Sequence, residues 1–231
     1  MRLSQILLTQ GFGTRRDCVA LAASGRVHWA GRALTNPEQD LPTDGLLFSV
    51  DGQEWPFHET ALVMLHKPAG YECSDKPSAW PAVATLLPAP LRGRGVQPVG
   101  RLDADTTGLL LFTDDGQPIH RLTSPKHHVA KVYEVSTARP VDEAQRQQLL
   151  QGVVLRDDPV PVRASAAEIA GAYALRLTLT EGKYHQARRM LAAVGNHVEA
   201  LHRSRFGPLT LPHDLAPGQW RWVAPPAEGW T

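Results

Sequence analysis

Cysteine is nearly absent: Cys18 and Cys73 are the only two among 231 residues, and neither belongs to a Cys-x-x-Cys pair. A disulfide framework and a cysteine-rich zinc site are thereby excluded, and the two side chains read as buried or free thiols in a reducing compartment. An excess of charge of one sign is also missing. The 24 Lys plus Arg stand against 23 Asp plus Glu, a net of +1, so this is not a protein coated in positive charge. No window approaches about eighteen uninterrupted apolar residues, which leaves no candidate membrane-spanning helix. The opening MRLSQILLTQGFG has an apolar stretch broken by Ser4 and Gln5 and lacks the small-residue cleavage site of a secretory leader, so the expected location is the cytoplasm. Internal repeats and low-complexity tracts are absent as well. What remains is an ordinary globular composition, 42% apolar and 20% charged, in a chain long enough for one medium domain or two small ones.

The near-neutral total hides a sharp division. Residues 1–35 carry Arg2, Arg15, Arg16, Arg26 and Arg32 against Asp17 alone, whereas residues 36–59 carry Glu38, Asp40, Asp44, Asp51, Glu54 and Glu59 with no Lys or Arg. In the basic unit, Leu3, Ile6 and Leu7 have the spacing of an amphipathic helix that stops near Gly11-Phe12-Gly13. Thr14 and Asp17 form a capping-box pattern opening a second helix with Cys18, Leu21 and Ala22 on its apolar stripe and Gly25 as its stop. Residues 26–35 read as a hairpin turning at Ala30-Gly31. Arg15 and Arg16 lie in the first turn of that helix, where cations oppose the helix dipole, which points to a functional reason for them. The polar segment 51–60, with one Pro, reads as a linker between a unit at 1–50 and a domain at 61–231.

The second domain is richer in strands. Apolar or alternating runs occur at 62–68, 108–116, 132–137 and 173–180, and Tyr173, Leu175, Leu177 and Leu179 share one face of the last. Asp115-Gly116 reads as a turn. Helices are expected at 142–151 and 184–194, the second with Tyr184, Ala187, Met190, Leu191 and Val194 as its apolar stripe, flanked by Arg188 and Arg189. The expectation is an α+β fold: a small α/β unit, then a domain built on a mostly antiparallel sheet, with APPAEGWT as a loose tail. His127 and His128, adjacent in an extended segment, would point to opposite sides, and no His, Cys and acid spacing suits a metal.

The most informative segment is GRLDADTTGLLLFTDDG, residues 100–116, in which a Gly- and Thr-rich loop runs directly into an apolar strand and places Asp103 at the mouth of a buried sheet. On spacing alone, the plainer account is that Asp103 and Asp105 are turn residues satisfying local N–H groups. The segment resembles, however, the catalytic motif of the pseudouridine synthases, in the branch named for the small-subunit ribosomal RNA enzyme. The resemblance continues at LHKPAGYECS (65–74), SPKHHVAKVYEV (124–135), EGKYHQARRMLAAVGNHVEALHRSRFGPLTL (181–211) and LAPGQWR (215–221). The basic N-terminal unit resembles the S4-type RNA-binding domain that precedes the catalytic domain in that branch.

The resemblance implies isomerisation of uridine to pseudouridine within RNA, a reaction without redox change or group donor and so without cofactor or metal. Matched residue by residue, it makes Asp103 the catalytic aspartate, acting as nucleophile at C1′ or as base at C2′, with the choice left open. It makes Tyr133 the active-site tyrosine that stacks on the flipped base, and Arg188 the cation paired with the aspartate. Leu201 packs under the reacting groups, and Arg101 supports the loop or fills the place of the flipped nucleotide. One residue of helical offset turns Arg189 about 100° away, toward phosphate or solvent. RNA contacts are expected from Arg15, Arg16, Arg26, Lys126, Lys131, Lys183, Arg189 and Arg203, because basic residues cluster around the same motifs. The strings SPKHH, EGKYHQARRM and AAVGNHV are nearer to members acting on uridine 516 of 16S rRNA than to large-subunit relatives. The expected partner is 16S rRNA or an assembling small subunit, met by a monomer, with no membrane. Alternatives are a 23S rRNA synthase of the same branch, a noncatalytic RNA-binding assembly factor, or a glycosidase-like hydrolase, which would need a second carboxylate that only Asp105 could supply.

Overall fold

In a computed structural model, which describes residues 1–156, 158–227 and 229–230, the chain divides into two compact units: residues 1–61 with 87–97, and residues 62–86 with 98–231.

The smaller unit opens with α1 (Leu3–Thr9), which buries Leu3, Ile6 and Leu7, and α2 (Arg15–Ala23), which buries Cys18 and Ala22. The start of α2 is fixed by a reciprocal cap: Thr14 Oγ1 accepts from the Asp17 amide at 3.3 Å, and the Asp17 carboxylate accepts from the Thr14 amide at 2.9 Å. Donation to the Asp17 carboxylate by the Thr14 hydroxyl, at 2.6 Å, and then by the Thr14 amide holds that carboxyl below its ordinary range. Strands β1 (Val27–Trp29) and β2 (Arg32–Leu34) form the expected hairpin, with Ala30 at φ 49° and Gly31 at φ 76° making its tight turn. β3 (Leu47–Val50) and β4 (Gln53–Pro56) complete an antiparallel sheet of order β2-β1-β3-β4.

Residues 51–60 are therefore not a linker. Asp51-Gly52 is a second left-handed hairpin turn, and β4 is an edge strand whose Gln53 and Glu54 are exposed while Trp55 is buried. The domain limits shift for another reason. The helix α3 (Ala89–Gly93) packs with the N-terminal unit, where a Cβ at Gly93 would lie 2.3 Å from the Gly11 carbonyl oxygen. Beside that close approach, the Arg94 guanidinium donates to Gln10 Oε1 at 2.8 Å and to the His58 carbonyl at 2.9 Å.

The larger unit begins with β5 (Leu62–Lys67), and the chain returns to it through the short β6 (Gln97–Pro98) into β7 (Thr107–Thr113). It continues through α4 (Gly116–Thr123), β8 (Lys131–Thr137), α5 (Glu143–Gln151), β9 (Val153–Leu155), β10 (Asp158–Val162), β11 (Ala166–Gly171) and β12 (Ala174–Leu179). The remaining elements are α6 (Gln186–Ala193), β13 (Val198–Phe206), β14 (Leu209–Thr210) and β15 (Trp220–Trp222). The main sheet runs β11-β12-β8-β13-β7-β5-β15 and is antiparallel except where β13 meets β7. This is the α+β architecture expected from the strand-rich sequence.

Four local readings differ from the structure. Asp115 is the N-cap of α4, its carboxylate accepting from the Gln117 amide, so Asp115-Gly116 starts a helix and is not a hairpin turn. His127 ends a 3₁₀ turn and His128 is left-handed at φ 50°, so the two are not in an extended strand. Tyr173 and Tyr184 lie outside β12 and α6 and are exposed rather than buried on their apolar faces. Trp230 is not part of a loose tail: it is buried in a cluster with Leu109, Leu122 and Phe206.

Candidate active site

The loop before β7 is built around a buried lysine. Lys67, fully buried at the end of β5, donates to the carbonyls of Thr106 at 2.8 Å, Asp103 at 3.0 Å, Ala104 at 3.1 Å and Pro68 at 3.1 Å. One ammonium thus gathers the backbone of residues 103–106 by charge-assisted hydrogen bonds. Burial pulls its pKa below the usual lysine range. Two further bonds fasten the loop: the Gly70 amide to the Ala104 carbonyl at 2.8 Å, and the Leu102 amide to Cys73 Sγ at 3.4 Å. The Cys73 thiol, pushed up mainly by burial, therefore acts here as an acceptor in the packing of the loop. Sequence reasoning missed Lys67. Its signal was a lysine on a strand whose other residues are nearly all buried, the position where a charge must have a structural reason.

From this loop Asp103 projects with its carboxylate about one-third exposed, and two basic side chains from the start of α6 face it. His185 Nε2 lies 3.2 Å from Oδ1, and Arg188 Nε lies 4.0 Å from Oδ2. Arg188 is nearer to Asp105, Nη2 to Oδ2 2.9 Å, and its Nη1 donates to the Val198 carbonyl at 3.2 Å. Its fork therefore spans both aspartates while tied to β13. Two carboxylates so close in sequence would repel, and a guanidinium between them offsets this repulsion. Arg189 points elsewhere, donating to the Tyr184 carbonyl at 3.0 Å, as the helical offset requires.

Asp103 borders a cleft of about 90 Å³ whose lining includes Arg101, Tyr133, Lys183, His185 and Leu201. Tyr133 comes from β8 and the buried Leu201 from the neighbouring β13, so an aromatic ring and an aliphatic wall flank the carboxylate. Five of the residues singled out in the sequence, Asp103, Tyr133, Arg188, Arg101 and Leu201, are thus gathered in one region from four separate segments. His185 was not among them.

Two expected RNA contacts are placed differently. Arg203 is buried, donates to the Leu109 carbonyl at 2.8 Å and lies over the Phe206 ring. Lys131 is buried over the same ring at 5.7 Å, and burial lowers its pKa to about 8. Both are cations of the sheet interior and cannot reach a phosphate. Of the others, Lys183 lines the cleft and is paired with Asp158, Arg26 is paired with Asp51, and Arg15, Arg16 and Lys126 are exposed. Among the described residues no three His, Cys, Asp or Glu are grouped to hold a metal, and no helix is long and apolar enough to cross a membrane.

An aspartate faced by a histidine and an arginine at the mouth of a cleft lined by a tyrosine and a leucine, on a mostly antiparallel sheet, matches a known class. Residues 61–193 match the model of the RNA pseudouridylate synthase family, and the chain belongs to that family of isomerases. It is 43% identical over 228 residues to the ribosomal small subunit pseudouridine synthase A of Escherichia coli K12, covering 96% of this chain and 95% of that protein. With the protein of that name from Haemophilus influenzae it is 42% identical over 221 residues, covering 96% and 95%. A solved pseudouridylate synthase superimposes with a TM-score of 0.68 and 34% identity over 97% of this chain and 96% of the other.

Proposed function

We propose that this chain converts a uridine of small-subunit 16S rRNA, uridine 516, to pseudouridine, with Asp103 as the reacting carboxylate. The observation that carries the reading is Asp103 itself, held by a rigid loop, faced by His185 and Arg188, and bordered by Tyr133 and Leu201. The reaction breaks the C1′–N1 bond, turns the uracil and joins C5 to the same C1′; the proton lost from C5 balances the one gained at N1. A carboxylate serves either opening, attack at C1′ or removal of a proton at C2′. The Tyr133 ring offers a face for the uracil while it is detached from its sugar. Leu201 keeps water from the other side, where hydrolysis would compete with rejoining.

The choice of 16S rRNA is supported by relatives that are 42–43% identical over nearly the whole chain and named for the small subunit. The substrate is that RNA, alone or in an assembling subunit, bound by a monomer in the cytoplasm. A target base must leave its stack before the sugar can be reached, at a cost of a few kcal/mol that RNA contacts must offset. Mapping pseudouridines in 16S and 23S rRNA from cells lacking the gene tests the assignment. Loss at one 16S position is expected, and loss confined to 23S would remove it.

A further inference from the structure

Tyr184 is a residue that packing does not explain. With 70% of its surface exposed it is the most open large hydrophobic side chain among the described residues. The apolar spacing would have buried it on α6, but the helix starts later, and the chain passes through His185 in a left-handed conformation at φ 48°. That conformation is uncommon outside glycine, and histidine is among the residues that tolerate it better.

The ring is nonetheless held firmly. One face lies on the His185 imidazole, centroids 3.8 Å apart and planes within 20°. The imidazole is anchored to Asp103 at 3.2 Å. The Tyr184 carbonyl accepts from Arg189, and the preceding Lys183 amide donates to the side chain of buried Gln186 at 2.9 Å. The result is an aromatic plane fixed one ring away from the catalytic carboxylate and largely open to solvent. In single-stranded or looped RNA, unstacked bases are taken up on such rings regardless of base identity. With Tyr133 in the lining of the cleft beside Asp103, the target uracil is provided for, and Tyr184 stands beyond it.

We propose that the open face of Tyr184 stacks on the base of a nucleotide adjacent to the target uridine, so that the Tyr184–His185 pair carries RNA binding up to Asp103. The proposal rests on the functional reading above, and its test is read separately from that reading. The probe is a small-subunit RNA fragment with 2-aminopurine next to the target uridine, titrated into Asp103→Asn protein. Stacking quenches the fluorophore on binding. In Asp103→Asn with Tyr184→Ala the bound probe is expected to stay bright and Kd to rise about tenfold or more, whereas Tyr184→Phe keeps the quenching and the Kd. In the active protein, Tyr184→Ala is expected to raise KM for RNA by a similar factor with kcat changed far less.

Unchanged quenching and Kd in Tyr184→Ala would overturn the proposal. So would a fall in kcat at unchanged KM, which assigns the ring to holding His185. A wild-type protein that binds and quenches the probe yet makes no pseudouridine in any rRNA defeats the functional reading and leaves the stacking intact.

Discussion

Arg188 bonds Asp105 and the β13 backbone more closely than Asp103, so it sets the electrostatics of the loop that carries both aspartates as much as it partners one carboxylate. Arg188→Ala leaves two aspartates close together, with His185 as the remaining basic side chain against Asp103. Pseudouridine formation is expected to fall by at least about 100-fold, the scale of losing one positioned charge at a reacting centre. Single-turnover rates measure this, and activity within a fewfold of wild type would remove Arg188 from the mechanism. Lys131 makes the opposite case, a cation with a cost. Its folded pKa of about 8 lies below the ordinary 10.5, so between these values the unfolded chain holds more protons and stability rises with pH. Lys131→Met is therefore expected to have the higher Tm near pH 7, with the gap closing by pH 10.5; a gap independent of pH would contradict the buried-ammonium account. The burial of Lys131 was legible in principle, since it shares strand parity with buried Val135 and Thr137. Arg203 was harder: it shares parity with buried Leu201, but bulges on either side put Val198 and Phe206 out of step with it.

Among the elements, the parallel meeting of β7 and β13 brings the Asp103 loop beside the strand that supplies Leu201. Gly108 makes the approach possible: at φ 111°, a Cβ there would sit 2.3 Å from the Arg203 carbonyl oxygen. Gly108→Ala must push the strands apart or strain the backbone, and a loss of about 3 kcal/mol or more is expected in denaturant unfolding. A change below about 1 kcal/mol would show that the crossing tolerates movement. The elements with strong periodicity or a cap, namely α1, α2, the first hairpin, β5, β7, β8 and α5, were readable because hydrophobic spacing and Thr14, Asp142 or a Gly turn all agreed. β4 was not, since an exposed edge strand with one buried residue looks like a polar loop. Nor was α4, because Asp-Gly signals a turn and an N-cap equally.

For the molecule as a whole, a net charge of +1 is the sum of a basic start at residues 1–35, an acidic stretch at 36–59 and a modest positive excess over residues 60–231. Within the smaller unit the acidic stretch includes strands and a turn, where Asp51 neutralises Arg26, while Arg15 and Arg16 remain exposed at the start of α2. Replacing both by Ala is expected to weaken RNA binding and reduce the slope of log K against log salt by about 1.4, the value for two phosphate contacts on single strands. An unchanged slope would mean that RNA does not touch α2. Asp103, Tyr133, Arg188 and Leu201, each in a long ordered motif, lie in one region of the fold; Lys67 and His185 stand in the same motifs but were not singled out, because their contacts exist only once β5 and α6 are brought to the loop.

The account stands most directly on Asp103. Purified wild-type and Asp103→Asn proteins, incubated with 16S rRNA and with partly assembled small subunits, can be compared by pseudouridine mapping at single-nucleotide resolution. The expectation is one new pseudouridine, at uridine 516, with wild type and none with Asp103→Asn, although the variant still binds the RNA. Pseudouridine made by Asp103→Asn, or by wild type only in 23S rRNA, would contradict it.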